Sequence, residues 1–424
     1  MDRRRFLTTM SVAGATGVVG YQAMATGSGA SVDATTASAV APTTVPPTID
    51  QMPTTTTATE AVEQPRSGGK VLVVVQMNGG NDALNTLVPS DGRYRDLRPD
   101  VALAESEVLA LSDGSGLGFH PSMAPLLGRW NDGQIAAVAG VGYENASRSH
   151  FAAMDDWFSA TPGQANTTGW LGRWADLTAS DDESPMRLVS LGGRAAALDA
   201  HDTSAIVVDD PATFGLNGGR GLDVDGYART LRMLGGAQGA ALDQGLDAAA
   251  SLAEITGSGG TTDITAGTTF ASLLDTAAGL IDADLGTEVI VVSGGGFDTH
   301  ADQLGTHAGL LSDMATGIAG FLDRIEQQGH GDDVLVLTTS EFGRRVAQNG
   351  SYGTDHGRAG VQFLAGADVH GGLRGGWDLS SLVDGDLRPD VDTRALYQVA
   401  LDLLGGPTSE ILGGSYEDLG LVSA

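Results

Sequence analysis

Short runs of β-branched and aliphatic residues, spread along the chain, constrain its fold more than any other feature. Lys70–Met77, Glu288–Ser293 and Asp333–Thr338 are apolar at successive positions, a pattern typical of strands buried on both faces of a sheet. Between these runs, Phe270–Asp284 and Thr306–Ile325 carry apolar residues at helical spacing. Strands that alternate with helices predict an α/β fold, with a doubly wound, mostly parallel sheet flanked by helices.

Further runs extend both the sheet and the helical layers. The sequence also lacks internal repeats, GxGxxG patterns and P-loop patterns, which disfavours nucleotide binding. The additional predicted strands are Ile135–Val141, Arg187–Leu191, Ala205–Val208 and Val361–Ala365, and the additional predicted helices are Pro125–Trp130, Ser149–Phe158, Ala240–Ile255 and Thr393–Leu404.

The N-terminus has the features of an export signal. Arg3–Leu7 is a twin arginine followed by two apolar residues, and Thr8–Ala25 is too weakly hydrophobic for a stable membrane span. Residues 1–30 are therefore predicted to be a signal for the twin-arginine translocase, with an uncleaved anchor as the alternative. Residues 31–69, rich in Thr, Pro and Ala, are predicted to be a disordered linker. The folded domain is predicted to span residues 70–424, in the periplasm, at the cell surface or secreted.

The composition limits the partners and the metal ligands. The net charge is −30, with 23 basic and 53 acidic residues, which argues against binding nucleic acid. The chain has no cysteine, so thiolate sites are excluded. Any bound metal must be held by oxygen and imidazole, which suits zinc, manganese, magnesium or calcium.

Carboxylates and imidazoles follow the predicted strands. Asp298 and His300 come after one strand, and residues two apart in an extended chain point the same way. Because the carboxyl ends of parallel strands meet at one edge of a sheet, we expect a divalent-metal site there. The alternatives are structural roles: turn formation, a Glu–Arg ion pair, or a buried Asp–His hydrogen bond. The predicted ligands are Asp82, Asp298, His300, Glu341 and His356.

The segment Ser147–His150 lies where a strand ends and a helix begins. A hydroxyl there meets free backbone N–H groups and the positive end of the helix dipole, so Ser149 or Ser147 is a candidate nucleophile. An ordinary N-cap is the alternative. Arg148 or Arg344 is predicted to bind an anion through its planar guanidinium group. The remaining histidines are predicted to lie at the surface: His120, His201, His307, His330 and His370.

Several segments taken together resemble one family. They are the twin-arginine leader, Gly79–Pro89, Ser147–Phe151, Gly296–Gln303 and Ser340–Gly360. The family they resemble is the bacterial domain-of-unknown-function family 1501, which is similar in fold to the alkaline phosphatase–sulfatase superfamily. The resemblance extends from about residue 70 to the C-terminus. It implies a central sheet between helices, one or two divalent metals, and a Ser, Thr or modified Cys nucleophile.

The resemblance also implies roles for single positions. Asp82 resembles the carboxylate after the first strand, and Asp298 with His300 resembles the Asp/His pair of one metal centre. Glu341 falls where the superfamily usually has an Asp-His pair, but Phe342 stands in place of the imidazole. His356 resembles the final histidine ligand. Its Asp-His-Gly context also fits the earlier Asp-His pair, and the strand order favours the first alignment.

These features predict an exported, metal-dependent hydrolase of phosphate or sulfate esters, acting on a small molecule or a polymer. The alternative is a non-catalytic exported surface or binding protein that keeps the fold, with or without a structural metal. Phe342 and the long linker favour that alternative. A carbohydrate-processing enzyme using Asp155 and Asp156 is disfavoured, because adjacent residues on a helix diverge by about 100°.

Overall fold

The computed structural model describes residues 69–180, 183–209, 268–366 and 368–422. Fourteen strands are present in these ranges, and they form one large sheet and two small ones. The strands are β1 Val71–Met77, β2 Leu87–Pro89, β3 Leu109–Ala110, β4 Leu117–Phe119, β5 Ile135–Gly142, β6 Leu188–Leu191, β7 Ile206–Val208, β8 Val289–Gly294, β9 Val334–Thr339, β10 Arg344–Gln348, β11 Thr354–His356, β12 Gly360–Ala365, β13 Gly372–Arg374 and β14 Val391–Asp392.

Helices fill the connections between the strands. Three short 3-10 helices add to them, at Pro121–Leu126, Ala196–Leu198 and Gly331–Asp333. The α-helices of the described residues are α1 Ala83–Thr86, α2 Gly92–Leu97, α3 Leu127–Asn131, α4 His150–Ser159, α5 Trp170–Leu177, α6 Phe270–Asp282, α7 Gln303–Gln327, α8 Thr393–Leu404 and α9 Thr408–Leu412.

The large sheet has nine strands and is mostly parallel. Eight of them lie in the order β13-β5-β12-β9-β1-β8-β6-β7, and β14 also pairs with β5. Strand β1 pairs in parallel with β8 and β9, whereas β12 runs antiparallel to both of its neighbours, β5 and β9. The predicted mostly parallel sheet is therefore confirmed, with one reversed strand inside it.

Both faces of the large sheet are covered by helices, because its central strands are apolar on both sides. All seven residues of β1 are buried. Val73 and Val75 belong to the core that α6 and α7 cover, and Leu72 and Val74 belong to the core that α4, α5 and α8 cover. Helices on both faces confirm the predicted doubly wound architecture.

The sequence predicted the strands of the large sheet better than its surroundings. Predicted and observed bounds differ by at most one residue at either end for β1, β5, β8 and β9, and Thr393–Leu404 is helix α8 as predicted. Helix α5, the antiparallel sheet β2-β4-β3 and the β10–β11 hairpin were not predicted. The leader, the linker up to residue 68 and the predicted helix at residues 240–255 lie outside the described residues.

A small third core fixes the β10–β11 hairpin above the carboxyl edge of the large sheet. Leu84, Tyr94, Val346 and Leu387 pack together there. Within the described ranges, no helix combines the length and the apolar character needed to cross a membrane.

Candidate metal centre

Loops at the carboxyl edge of the large sheet bring distant residues together. The loop after β8 carries Asp298 and His300, and the β10–β11 hairpin carries His356. His150 is the first residue of α4, the helix that follows β5. Glu341 comes two residues after the end of β9. This edge is where open α/β sheets bind their ligands.

Three imidazole rings surround one carboxylate oxygen. Asp298 Oδ1 lies 3.0 Å from His300 Nε2, 3.2 Å from His356 Nε2 and 3.5 Å from His150 Nε2. His300 Nε2 and His356 Nε2 are 2.7 Å apart. The ligand atoms of His150, Asp298 and His356 all lie within 4.8 Å of one another. We call these four residues the imidazole cluster.

The other nitrogen of each ring, Nδ1, faces an oxygen atom. Carbonyl and carboxylate oxygens only accept hydrogen bonds, so a hydrogen on Nδ1 satisfies each of these contacts and leaves the Nε2 of a neutral ring with a lone pair. The three pairs are His150 Nδ1 with Glu341 Oε1 at 2.9 Å, His300 Nδ1 with Asp355 Oδ1 at 3.2 Å, and His356 Nδ1 with the Arg148 carbonyl oxygen at 2.7 Å.

This donor set fits a divalent cation. Two imidazole lone pairs at 2.7 Å repel each other unless a proton or a cation lies between them. Imidazole nitrogens and a carboxylate oxygen are ligands of zinc and related ions. Metal-binding histidines also usually donate their second N–H to a carboxylate or a carbonyl oxygen, which fixes the ring orientation. The imidazole cluster has both features.

Arg344 holds the carboxylate of the cluster in place. Its Nη2 donates to Asp298 Oδ1 at 2.6 Å. Burial raises the pKa of Asp298, but the contact with Arg344 outweighs burial, and the pKa falls to about 2. The same Nη2 also faces the backbone carbonyls of Gly79 and Phe297, while Nε donates to the Gly80 carbonyl at 2.7 Å and Nη1 to the Thr354 carbonyl at 2.9 Å. Arg344 is 1% exposed. Its guanidinium group thus connects three loops, and its predicted role in binding substrate oxygens remains a prediction.

Phe342 and Gly79 shape the wall of the cluster. The ring centroid of Phe342 lies 4.9 Å from that of His150 and 4.6 Å from that of His356, so the phenyl ring packs against two imidazoles. Gly79 has φ +121°, and a Cβ at that position would overlap the backbone nitrogen of Asp298. The N–H of Gly79 also donates to Glu341 Oε1 at 2.8 Å. A glycine is therefore required where these two loops touch.

Asp82 lies outside the imidazole cluster and has other partners. It is fully buried, and its Oδ2 accepts a hydrogen bond from Arg98 Nη1 at 2.7 Å and another from Gln303 Nε2. Burial raises its pKa, but Arg98 and nearby His307 outweigh that effect and lower it. The carboxylate also caps α1 through the Asn85 N–H. Its predicted role as a metal ligand remains a prediction.

The segment before α4 contacts the imidazole cluster through its backbone and not through its serine hydroxyls, within the described residues. Ser149 is the N-cap residue of α4, is exposed, and makes no side-chain cap hydrogen bond. Its N–H donates to Ser147 Oγ at 3.1 Å. The backbone carbonyl of Arg148 faces His356 Nδ1, and the side chain of Arg148 pairs with the buried Asp386. Within the described residues, neither serine hydroxyl hydrogen-bonds to the imidazole cluster.

Sequence reasoning missed His150 and misplaced two other histidines. His150 lies in the noted Ser147–His150 segment, and its position at the start of a helix beside strand ends was the available signal. His307 and His120 were predicted at the surface, which is wrong: they are 1% and 4% exposed, and their ring centroids are 6.0 Å apart. Burial lowers the pKa of His307 to about 4.

The described chain is thus a mixed α/β protein with helices on both faces and an imidazole–carboxylate cluster at the carboxyl edge of its parallel strands. The chain belongs to the family described as "Protein of unknown function (DUF1501)", which matches residues 105–412. This match confirms the resemblance seen in the sequence motifs. None of the curated proteins matches the chain.

The chain is also similar to several solved structures. A protein in the alkaline phosphatase superfamily from Vibrio parahaemolyticus has 9% identity and a TM-score of 0.40, covering 84% of this chain and 71% of that one. The lipoteichoic acid synthase LtaP from Listeria monocytogenes has 11% identity and a TM-score of 0.37, covering 82% and 75%. The C-terminal periplasmic domain of EcEptC from Escherichia coli, in complex with Zn, has 9% identity and a TM-score of 0.38, covering 80% and 84%.

Proposed function

We propose that the protein is an exported, divalent-metal-dependent hydrolase of phosphate or sulfate esters. One observation carries this proposal: three imidazole Nε2 atoms converge on the Asp298 carboxylate while each Nδ1 faces an oxygen. Rings fixed in this way are suited to holding a cation. The motif resemblance to the alkaline phosphatase–sulfatase superfamily supports the choice of ester.

The imidazole cluster would hold the cation, and its neighbours would orient it. Glu341, Asp355 and the Arg148 carbonyl fix the three rings, and Arg344 fixes the Asp298 carboxylate. When bound, a divalent cation would act as a Lewis acid on the ester and stabilise the negative charge of the transition state. Glu341 therefore positions a ligand in this proposal instead of binding the cation directly.

Ser149 supplies the nucleophile in this proposal. It directly precedes His150, it is exposed, and its hydroxyl is not used as a helix cap. The N-terminus of α4 adds a positive potential at this point. Ser147 is the second candidate, although its Oγ already accepts a hydrogen bond from the Ser149 N–H.

Arg148 binds the non-bridging oxygens of the ester. Its side chain is 35% exposed, and two of its nitrogens, Nε and Nη2, contact Asp386. Its Nη1 makes no hydrogen bond within the described residues, so this donor is available to an anion. The twin-arginine leader supports export to the periplasm, the cell surface or the medium.

Metal analysis and ester turnover test the proposal together. The purified full chain should contain a divalent metal, should hydrolyse an aryl phosphate or an aryl sulfate, and should lose that activity with a chelator. His356→Ala should lose the metal, and Glu341→Gln should weaken metal binding by roughly 10–100-fold, because the ring orientation is less well fixed. His330→Ala is the matched control, since His330 lies outside the imidazole cluster.

Each outcome has a distinct meaning. Turnover that disappears in Ser149→Ala but not in Ser147→Ala would support the assigned nucleophile. Tight metal binding without turnover of any ester would instead favour the non-catalytic binding protein. A chain that binds no divalent metal at any pH near neutrality would refute the proposed metal centre.

A further inference from the structure

Three arginines converge on one buried aspartate beside the imidazole cluster. Asp386 has a fully buried side chain, and it accepts a hydrogen bond from Arg148 Nε at 2.8 Å. Arg345 Nε lies 3.4 Å from Asp386 Oδ1, and Arg358 Nε lies 3.5 Å from Asp386 Oδ2. Such a concentration of positive charge is unusual in a chain whose net charge is −30.

A tight turn brings two carboxylates to these arginines. Val383 and Asp386 are bridged, and the residues between them, Asp384 and Gly385, both have positive φ. A Cβ on Gly385 would lie 2.8 Å from Arg345 Nη2, so a glycine leaves room for that guanidinium group. Arg345 Nη2 then donates to the Asp384 carbonyl.

The carboxylates do not satisfy the arginines. Arg148, Arg345 and Arg358 form direct ion pairs with only two carboxylates, those of Asp384 and Asp386. Each guanidinium group has five N–H donors. Arg358 Nε is buried without a hydrogen-bond partner, and Nη1 of Arg345 and of Arg358 donates to no described residue.

The arginines adjoin the metal centre through the backbone. Arg345 follows Arg344, and Arg358 comes two residues after His356. The Arg148 carbonyl accepts the hydrogen bond from His356 Nδ1. The side chains of Arg345 and Arg358 are 33% and 20% exposed, so part of each reaches solvent. An anion can therefore reach them next to Arg148, since all three arginines lie against Asp386.

We propose that Arg345 and Arg358 form a subsite for a second anionic group of the substrate. The preferred substrate is then an ester with at least two anionic groups: one reacts at the imidazole cluster and the other binds to these arginines. The assignment of an ester rests on the proposed function, whereas the anion subsite itself does not. Planar guanidinium groups suit carboxylate, sulfate and phosphate groups alike.

Binding of two unreactive probes tests the subsite. Isothermal titration calorimetry would compare benzene-1,4-disulfonate with benzenesulfonate on the full-length protein with its bound metal. We expect the disulfonate to bind about tenfold more tightly, which corresponds to one extra charge-assisted contact. In Arg345→Gln/Arg358→Gln the ratio of the two Kd values should fall to about one. Arg388→Gln, which removes an arginine that is 72% exposed, should keep the ratio.

The outcomes separate this subsite from the proposed function. Equal affinities of the wild type for both probes, or an unchanged ratio in the double variant, would overturn the subsite even if esters are hydrolysed. Preference for the disulfonate without turnover of any ester would keep the subsite and refute the hydrolase. Thermal unfolding checks the fold of each variant. If the double variant does not fold, Arg345→Gln alone can replace it, because Arg148 and Arg358 remain beside Asp386. This single variant should still lower the ratio of the two Kd values.

Discussion

The buried His307 ring should make the protein lose stability in mild acid. His307 Nε2 lies 2.9 Å from Asn81 Oδ1 inside a buried polar network. Burial is the main reason that its pKa falls from 6.5 to about 4, with Arg98, Arg344 and His120 acting in the same direction and Asp82 opposing them. The ring is therefore neutral in the folded protein at pH 5 and protonated in the unfolded chain.

The sign and size of the effect follow from proton linkage. Between pH 6.5 and pH 4 the unfolded chain binds more protons at this residue than the folded protein does. The free energy of unfolding therefore falls as the pH falls through this range. Below pH 4 the ring is protonated in both states, so His307 causes no further loss. From pH 7 to pH 5 the loss attributable to His307 is about 2 kcal/mol.

Urea unfolding at pH 7 and pH 5 measures this loss, and a variant isolates it. His307→Gln has no titrating ring, so its free energy of unfolding should fall by about 2 kcal/mol less than that of the wild type between the two pH values. His330→Gln, which alters a histidine outside the buried network, should behave like the wild type. Equal losses in the wild type and in His307→Gln would refute the argument, because His307 would then be protonated in the folded protein as well.

Three further predictions concern stability, the centre and export. Arg98→Met leaves the buried Asp82 unpaired, and urea unfolding should show a loss of about 3–5 kcal/mol, which the added Asp82→Asn change should partly restore. Gly79→Ala should displace the loop of the metal centre and lower bound metal in elemental analysis, whereas Gly295→Ala, which has open space around it, should not. Replacing the three arginines at positions 3–5 by lysine should retain the protein in the cytoplasm on cell fractionation; unchanged export would contradict the twin-arginine route.

The sequence predicted the central strands because their burial is written into their composition. A run such as Val71–Met77 offers apolar residues to both faces, and only a covered sheet accommodates that. Strand direction carries no such local signal. Strand β12 looks like its parallel neighbours in sequence, yet it runs antiparallel between β5 and β9, since direction depends on the path of the chain.

Part of the candidate site could be predicted because its residues adjoin these strands. Asp298, His300 and His356 follow or precede strands, so a shared edge could be inferred, and the structure brings them within hydrogen-bonding distance. His150 could not be distinguished from its serine neighbours by spacing alone. The burial of His307 was missed because it depends on a contact between α7 and Asn81, which is distant in the sequence. The residues of α7 alone do not indicate that this histidine faces a buried polar group.

The pairing of β1 with β8 and β9 also fixes when the imidazole cluster can form. Val73 pairs with Ile290 and Val336, so the first strand of the sheet must wait for much of the remaining chain to leave the ribosome. A nascent chain that ends before His356 lacks one ring of the centre altogether. If the protein binds a cation there and crosses the membrane already folded, as proposed, the cation is taken up beforehand, and the cytoplasmic metal pool decides which ion the protein carries.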